Sequence, residues 1–239
     1  MSLNHVLQRK PDSMTLLISS TPLRETLEQS AAMHRHLCPR QVLGARMGMY
    51  AGELLGLALP RTDKRLFVVV ETDGCFADGV SVATGCWLGR RTLRLIDLGK
   101  VAATFVDMRT ERAFRLHPHP QARALARSYA PNARSRWHAY LEAYQIMPIT
   151  ELLVARPVTL TLDLAALIGR NGIRAQCAQC GEEVINQREV AREGRILCPS
   201  CASIGAYWAA PDEVPETLDL SREVEPRYDV VPAVRLDRL

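Results

Sequence analysis

Residues 34–56 read HRHLCPRQVLGARMGMYAGELLG, and the rest of the chain is best understood outward from them. Pro39 pushes Cys38 towards extended backbone and suits the first position of a helix. That helix is expected from Arg40 to about Leu57, with Val42, Leu43, Met47, Tyr50, Leu54 and Leu55 available for packing. Gly44, Gly48, Gly52 and Gly56 recur every fourth residue and so share one stripe. Each costs about 1 kcal/mol relative to alanine inside a helix. Such a cost implies that another backbone comes very close, from a neighbouring helix, a sheet or a dimer mate.

Upstream, Thr21-Pro22 is a helix start, with Thr as cap and Pro as first residue, and the helix should run to about Met33. Downstream, LFVVVET (66–72) is a β-branched strand pattern, and RLIDLGKVAATFV (94–106) reads as two strands joined through Gly99-Lys100. CFADGVSVATGCWLG (75–89) between them predicts a short helix with glycine-rich ends. Residues 121–130 and 134–146 are expected to be helical, and PVTLTLDL (157–164) alternates like a further strand. Helices and strands mix without strict βαβ alternation, so the expected class is α+β, a mixed helix and sheet domain. The expected organisation is an N-terminal extension (1–20), a main metal-binding domain (21–170), a four-cysteine zinc module (171–208) and an acidic surface tail (209–239). In that tail Val230, Val231 and Val234 would suit docking onto a partner subunit.

No stretch approaches the roughly 18 consecutive apolar residues that span a bilayer, and MSLNHVLQRKPDS is not built like a secretory signal. The expectation is a cytoplasmic protein without membrane contact. Seven cysteines, an odd number, then point away from an extracellular disulfide framework and towards metal or thiol chemistry. The net charge of +4 is uneven: residues 211–239 hold eight acids against four arginines, whereas Arg109–Arg136 holds seven arginines against Glu111 alone. The arginine stretch is either a solvated face or a contact for an acidic partner, a phosphate or nucleic acid.

Cys177-Ala-Gln-Cys180 and Cys198-Pro-Ser-Cys201 supply four thiolates on two short turns, and Gly181 suits the first turn. The pattern predicts one tetrahedral zinc whose positions are all filled by protein, and therefore a structural ion. His34, His36 and Cys38 form a second candidate set. In an extended segment the three project to one side, and the helix start favours the Cys38 thiolate. Two imidazoles and a thiolate can hold a transition metal with one position open. Cys75 and Cys86 are either part of this region or small core residues, and Asp73, Asp78, Thr84 and Lys100 are polar groups that could converge there.

HRHLCPRQVLGARMG, CFADGVSVATGCWLG, DLGKVAATF and the CAQCGEEV…ILCPSC module together resemble the FmdE family, which takes its name from a component of molybdenum or tungsten formylmethanofuran dehydrogenase. The resemblance spans about residues 24–205. It implies an α+β domain that pairs as a homodimer, an appended zinc module, and a metal at His34, His36 and Cys38. The family's first motif is closer to His-Gly-His-x-Cys-Pro-Gly, and this chain has Arg35 and Arg40 at the two glycine positions. Two arginines there narrow the site or recruit an anion.

The leading expectation is thus a metal-binding accessory protein connected with molybdenum- or tungsten-type oxidoreductases, with an oxidoreductase or a small anion as partner. In a catalytic alternative Cys38, Asp78 and Lys100 act on a small anionic substrate, Asp78 as base, with Arg35, Arg40, Cys75, Thr84 and Cys86 contacting the bound group. A zinc-ribbon nucleic-acid or regulatory binder using Arg109–Arg136 is the third reading, and the less favoured one because it ignores His34, His36 and Cys38.

Overall fold

A computed structural model describes residues 21–164 and 172–204. The expected N-terminal extension and acidic tail lie outside these residues. The chain divides into two compact units, Met1–Gly169 and Arg170–Leu239. Among the described residues no helix is long and apolar enough to cross a membrane.

In the first unit the elements are α1 (Thr21–His34), α2 (Pro39–Leu55), β1 (Leu66–Val70), α3 (Cys75–Thr84), β2 (Leu93–Leu95), β3 (Ala103–Asp107), β4 (Ala113–Pro118), α4 (Ala122–Tyr129), α5 (Arg136–Ile146), α6 (Ile149–Leu152) and β5 (Leu153–Val158). The strands form one sheet in the order β2-β1-β3-β4-β5, in which only β1 and β2 are parallel. This is the α+β architecture expected from the sequence. β1 lies inside the sheet and all five of its residues are buried, which explains its continuous apolar run. Leu66, Val68, Phe105 and Leu116 face the helical layer and join Leu27, Val42, Met47, Phe76 and Leu141 in the main core. On the reverse face Phe67, Val69, Val106 and Ala113 form a smaller cluster closed by Val158, Leu160 and Leu164.

The two strands expected around Gly99-Lys100 are β2 and β3, which lie on opposite sides of β1. One strand expectation changes. The last strand is Leu153–Val158, earlier than 157–164, and Pro157 is tolerated because β5 is an edge strand.

The glycine stripe of α2 has a clear cause. A Cβ on Gly44 would overlap the carbonyl oxygen of Phe76 and stand 2.8 Å from Val80 N, both in the backbone of α3. On Gly48 it would meet Ala83 Cβ at 2.7 Å, and on Gly52 the Leu57 carbonyl oxygen at 2.9 Å. Gly79 of α3 answers in kind against the Gln41 carbonyl. The compensation for the glycines is therefore a neighbouring helix and the chain's own turn. Gly56 differs: at φ 66° it is the left-handed residue that ends α2.

Two ion pairs fasten the sheet. Arg115 binds both oxygens of Glu71 at 2.6 and 2.7 Å, and Arg65 binds both oxygens of Asp107 at 2.9 and 2.7 Å. Asp107 also accepts from the Arg109 amide, and with Arg65 beside it the buried carboxyl is held well below the usual carboxylate range. A depressed carboxyl stabilises the fold above the unfolded value, about pH 4, and that contribution is lost as pH falls below it. Urea midpoints of the wild type should therefore begin to drop below about pH 5 and keep falling through pH 3 and lower. Asp107→Asn should cost about 2 kcal/mol at neutral pH and show a shallower acid drop. Parallel curves for the two proteins would show that Asp107 does not drive it.

In the second unit β6 (Arg174–Gln176) pairs antiparallel with β7 (Glu183–Ile185), and β8 (Val190–Arg192) with β9 (Arg195–Leu197). Its buried cluster comprises Cys177, Val184, Leu197, Cys198 and Ala202.

Candidate functional site

The first site is built where three helix ends meet. α1 stops at His34 because Arg35 takes a left-handed φ of 62°, a conformation that suits glycine. The segment holding His34, Arg35 and His36 is thus a helix end and not the extended run expected from the sequence. Cys38 then adopts extended backbone at φ −126°, ψ 158° and becomes the N-cap of α2, with Pro39 opening the helix.

Gln41 fixes this corner. Its side-chain oxygen accepts the Cys38 amide at 2.7 Å, while its amide donates to the carbonyl and hydroxyl of Ser30 at 2.8 and 3.0 Å. Gln41 and Ser30 are fully buried, so the Cys38 backbone is tied to α1 through a satisfied polar cluster. Gln41 does not stand out in the sequence as a site residue, although a cap residue followed three positions later by glutamine is a capping-box pattern.

Cys75 begins α3 and lines the same cavity as Cys38; burial, and then the neighbouring Cys38 thiol, push its thiol up. The two helix starts therefore present a pair of sulfurs. His34 Nε2 is bound to Asp78 of α3, which leaves Nδ1 as the other ring nitrogen of His34. His36 is exposed, and its Nδ1 contacts the His34 carbonyl at 2.9 Å.

Cys38 and Cys75 open into a cavity of about 550 Å³, whose walls also include Arg40, His119, Trp137 and Tyr140. Among the other expected site residues, Thr84 and Cys86 are buried in the core and do not line this cavity. The Thr84 hydroxyl donates to the Val80 carbonyl, and the Cys86 thiol contacts the Leu66 carbonyl at 3.5 Å. Arg35 and Lys100 are exposed outside the lining, although Val101 next to Lys100 is part of it.

The second site is the four-cysteine cluster. Among the described residues, Cys177, Cys180, Cys198 and Cys201 form the one group of three or more histidine, cysteine or acidic side chains whose ligand atoms all lie within 4.8 Å of one another. Cys180 Sγ and Cys198 Sγ are 3.9 Å apart, close to the edge of about 3.8 Å that a tetrahedron with roughly 2.3 Å zinc–sulfur bonds requires. Gly181 at φ 75° makes the first turn, and the Cys201 amide donates to Cys198 Sγ at 3.3 Å in the second. Backbone amides of Cys180 and Cys198 lower the Cys177 thiol to about 6, whereas the neighbouring thiol of Cys198 pushes Cys201 up to about 12. Four crowded thiols cannot all ionise without a cation, and the cluster can hold a metal ion such as zinc.

An α+β domain with a thiol-lined cavity, followed by a four-cysteine module, defines the class of protein. Residues 33–154 match the family model described as FmdE, molybdenum formylmethanofuran dehydrogenase operon, and the chain belongs to this family. It is 38% identical over 98 residues to a probable S-adenosyl-L-methionine-binding protein of Archaeoglobus fulgidus, an alignment covering 40% of this chain and 27% of that protein. The aligned part is thus about a quarter of that relative's length. The crystal structure of an FmdE-like protein of tungsten formylmethanofuran dehydrogenase type, from Syntrophus aciditrophicus, superposes with a TM-score of 0.50 at 21% identity, covering 78% of this chain and 94% of that one. That likeness shows a shared fold.

Proposed function

We propose that the chain is a cytoplasmic, homodimeric metal-binding accessory protein serving molybdenum- or tungsten-type oxidoreductases. In this reading zinc in the four-cysteine module is structural, and a second transition metal binds at His34, His36 and Cys38 with one position open. The observation that carries the reading is the Cys38 thiol, held at a helix start by Gln41 and facing a ligand-sized cavity beside Cys75. Asp78 acts as the carboxylate that orients His34, the usual partner of a metal-bound imidazole. His36, exposed at the helix end, would supply the remaining ligand. Engagement with His34 suits Asp78 to positioning more than to service as a base, which favours the accessory role over catalysis by Cys38, Asp78 and Lys100. The S-adenosylmethionine binding named for the Archaeoglobus relative is not part of this proposal, because Arg40 on the cavity wall opposes a positive sulfonium.

The test is metal content of protein purified without air. Cys38→Ala with His36→Ala should remove about one metal equivalent and spare the C-terminal ion, because the two ligand sets share no residue. If the double variant keeps every metal of the wild type, the accessory-metal reading fails.

A further inference from the structure

The arginine-rich stretch resolves into two populations. Arg112 donates to the Leu54 carbonyl and Arg115 is paired with Glu71, so both serve the fold. Arg123, Arg127, Arg134 and Arg136 surround one groove of about 480 Å³ between α4 and the start of α5; Arg127 also donates to the Ala133 carbonyl at 2.7 Å and Arg134 to His138 Nε2 at 2.6 Å, so these two hold the local fold as well. No carboxylate lines it, and among the described residues none of the four is in an ion pair. Gathering four guanidinium groups around a hollow without a counter-charge is electrostatically unfavourable in the absence of an anion.

This groove adjoins the thiol-lined cavity, and Arg123 and Tyr140 belong to the walls of both. At the junction the aromatic side chains of α5 take over. Trp137 is 43% exposed on the cavity wall, and Tyr140 stacks on Tyr144 with ring centroids 5.8 Å apart and planes 10° from parallel. Aromatic faces and a cluster of positive charge therefore stand side by side.

We propose that this surface binds a small molecule with a planar heteroaromatic head and a phosphorylated tail, the head against Trp137 and Tyr140 and the tail on the four arginines. Four cations call for more charge than one carboxylate carries, and a diphosphate supplies about three negative charges with several oxygens for guanidinium forks. The aromatic faces explain why the ligand is not a bare anion. The cavity volume lies within the range of about 300 to 1,000 Å³ typical of small-molecule sites. None of these contacts requires a metal at His34, His36 and Cys38.

Calorimetry on the full chain with adenosine diphosphate, adenosine and inorganic pyrophosphate tests it. The diphosphate nucleoside should bind about tenfold or more tightly than either half alone, with affinity falling as salt rises. Arg123→Gln with Arg136→Gln should weaken adenosine diphosphate and pyrophosphate about tenfold or more while leaving adenosine unchanged. Trp137→Ala should weaken both nucleosides and spare pyrophosphate. All three changes sit on exposed positions, and thermal melts confirm that the variants are folded. The same titrations on wild-type protein prepared with and without added transition metal should be unaltered, which separates this result from the fate of the metal proposal. Absence of nucleotide binding at millimolar concentration, binding indifferent to the arginine changes, or far tighter binding of single-stranded RNA would overturn the assignment.

Discussion

Gly44→Ala is expected to destabilise the main domain by about 3 kcal/mol or more, towards the upper end of what overpacking costs. The added methyl overlaps the Phe76 carbonyl oxygen and crowds Val80 N, both backbone atoms of α3, so no side-chain rotation relieves it. The helix itself gains about 1 kcal/mol from losing a glycine, and the sign of the net change decides between propensity and packing. Gly56→Ala is the comparison: its Cβ meets nothing within 4 Å, and its cost is limited to about 1–2 kcal/mol for the left-handed backbone. Urea unfolding of both variants gives the two numbers. A Gly44→Ala protein at least as stable as wild type would show that α3 can withdraw from α2.

Cys198→Ser is expected to release the C-terminal metal and unfold the second unit while the main domain keeps its melting temperature. The reason lies in the small core of that unit: of Cys177, Val184, Leu197, Cys198 and Ala202, two belong to the four-cysteine cluster that can hold the ion. Three short apolar side chains cannot offset the ordering entropy of two hairpins. Structural zinc contributes about 10–16 kcal/mol in comparable small modules. Elemental analysis should lose one equivalent, and limited proteolysis should cut between residues 172 and 204 in the variant alone. An unchanged metal content would refute the four-thiolate assignment.

Much of this architecture was legible because local signals and tertiary demands agree. Thr21-Pro22 and Cys38-Pro39 mark helix starts by backbone chemistry, and LFVVV needs burial on both faces, which only an interior strand provides. The four cysteines were legible because their spacing is a ligand geometry in itself. β4, AFRLHP, is hard to see in the sequence because its arginine and histidine mask the strand pattern, and Arg115 is there to satisfy Glu71 two strands away. That partner is invisible in sequence. The glycine stripe announced a close neighbour but not its identity, which depends on α3 returning across α2 through β1. At the first site Cys38 and Cys75 line the cavity and Asp78, His34 and His36 do not, while Thr84 and Cys86 lie on the inward side of the same motif. A helix of ten residues turns its faces in opposite directions, and the motif alone does not say which face meets the cavity.

The backbone contact between α2 and α3 acts as a caliper for the two sulfurs. Gly44 lies one to two turns from Cys38, and Gly79 lies about one turn from Cys75, so atoms without side chains set the gap between the helix starts. Substitutions elsewhere in the core can swell or shrink the layers while this gap stays constant. A lineage can therefore change the cavity's far wall, and with it the molecule received, without resetting the spacing at which the thiols meet it.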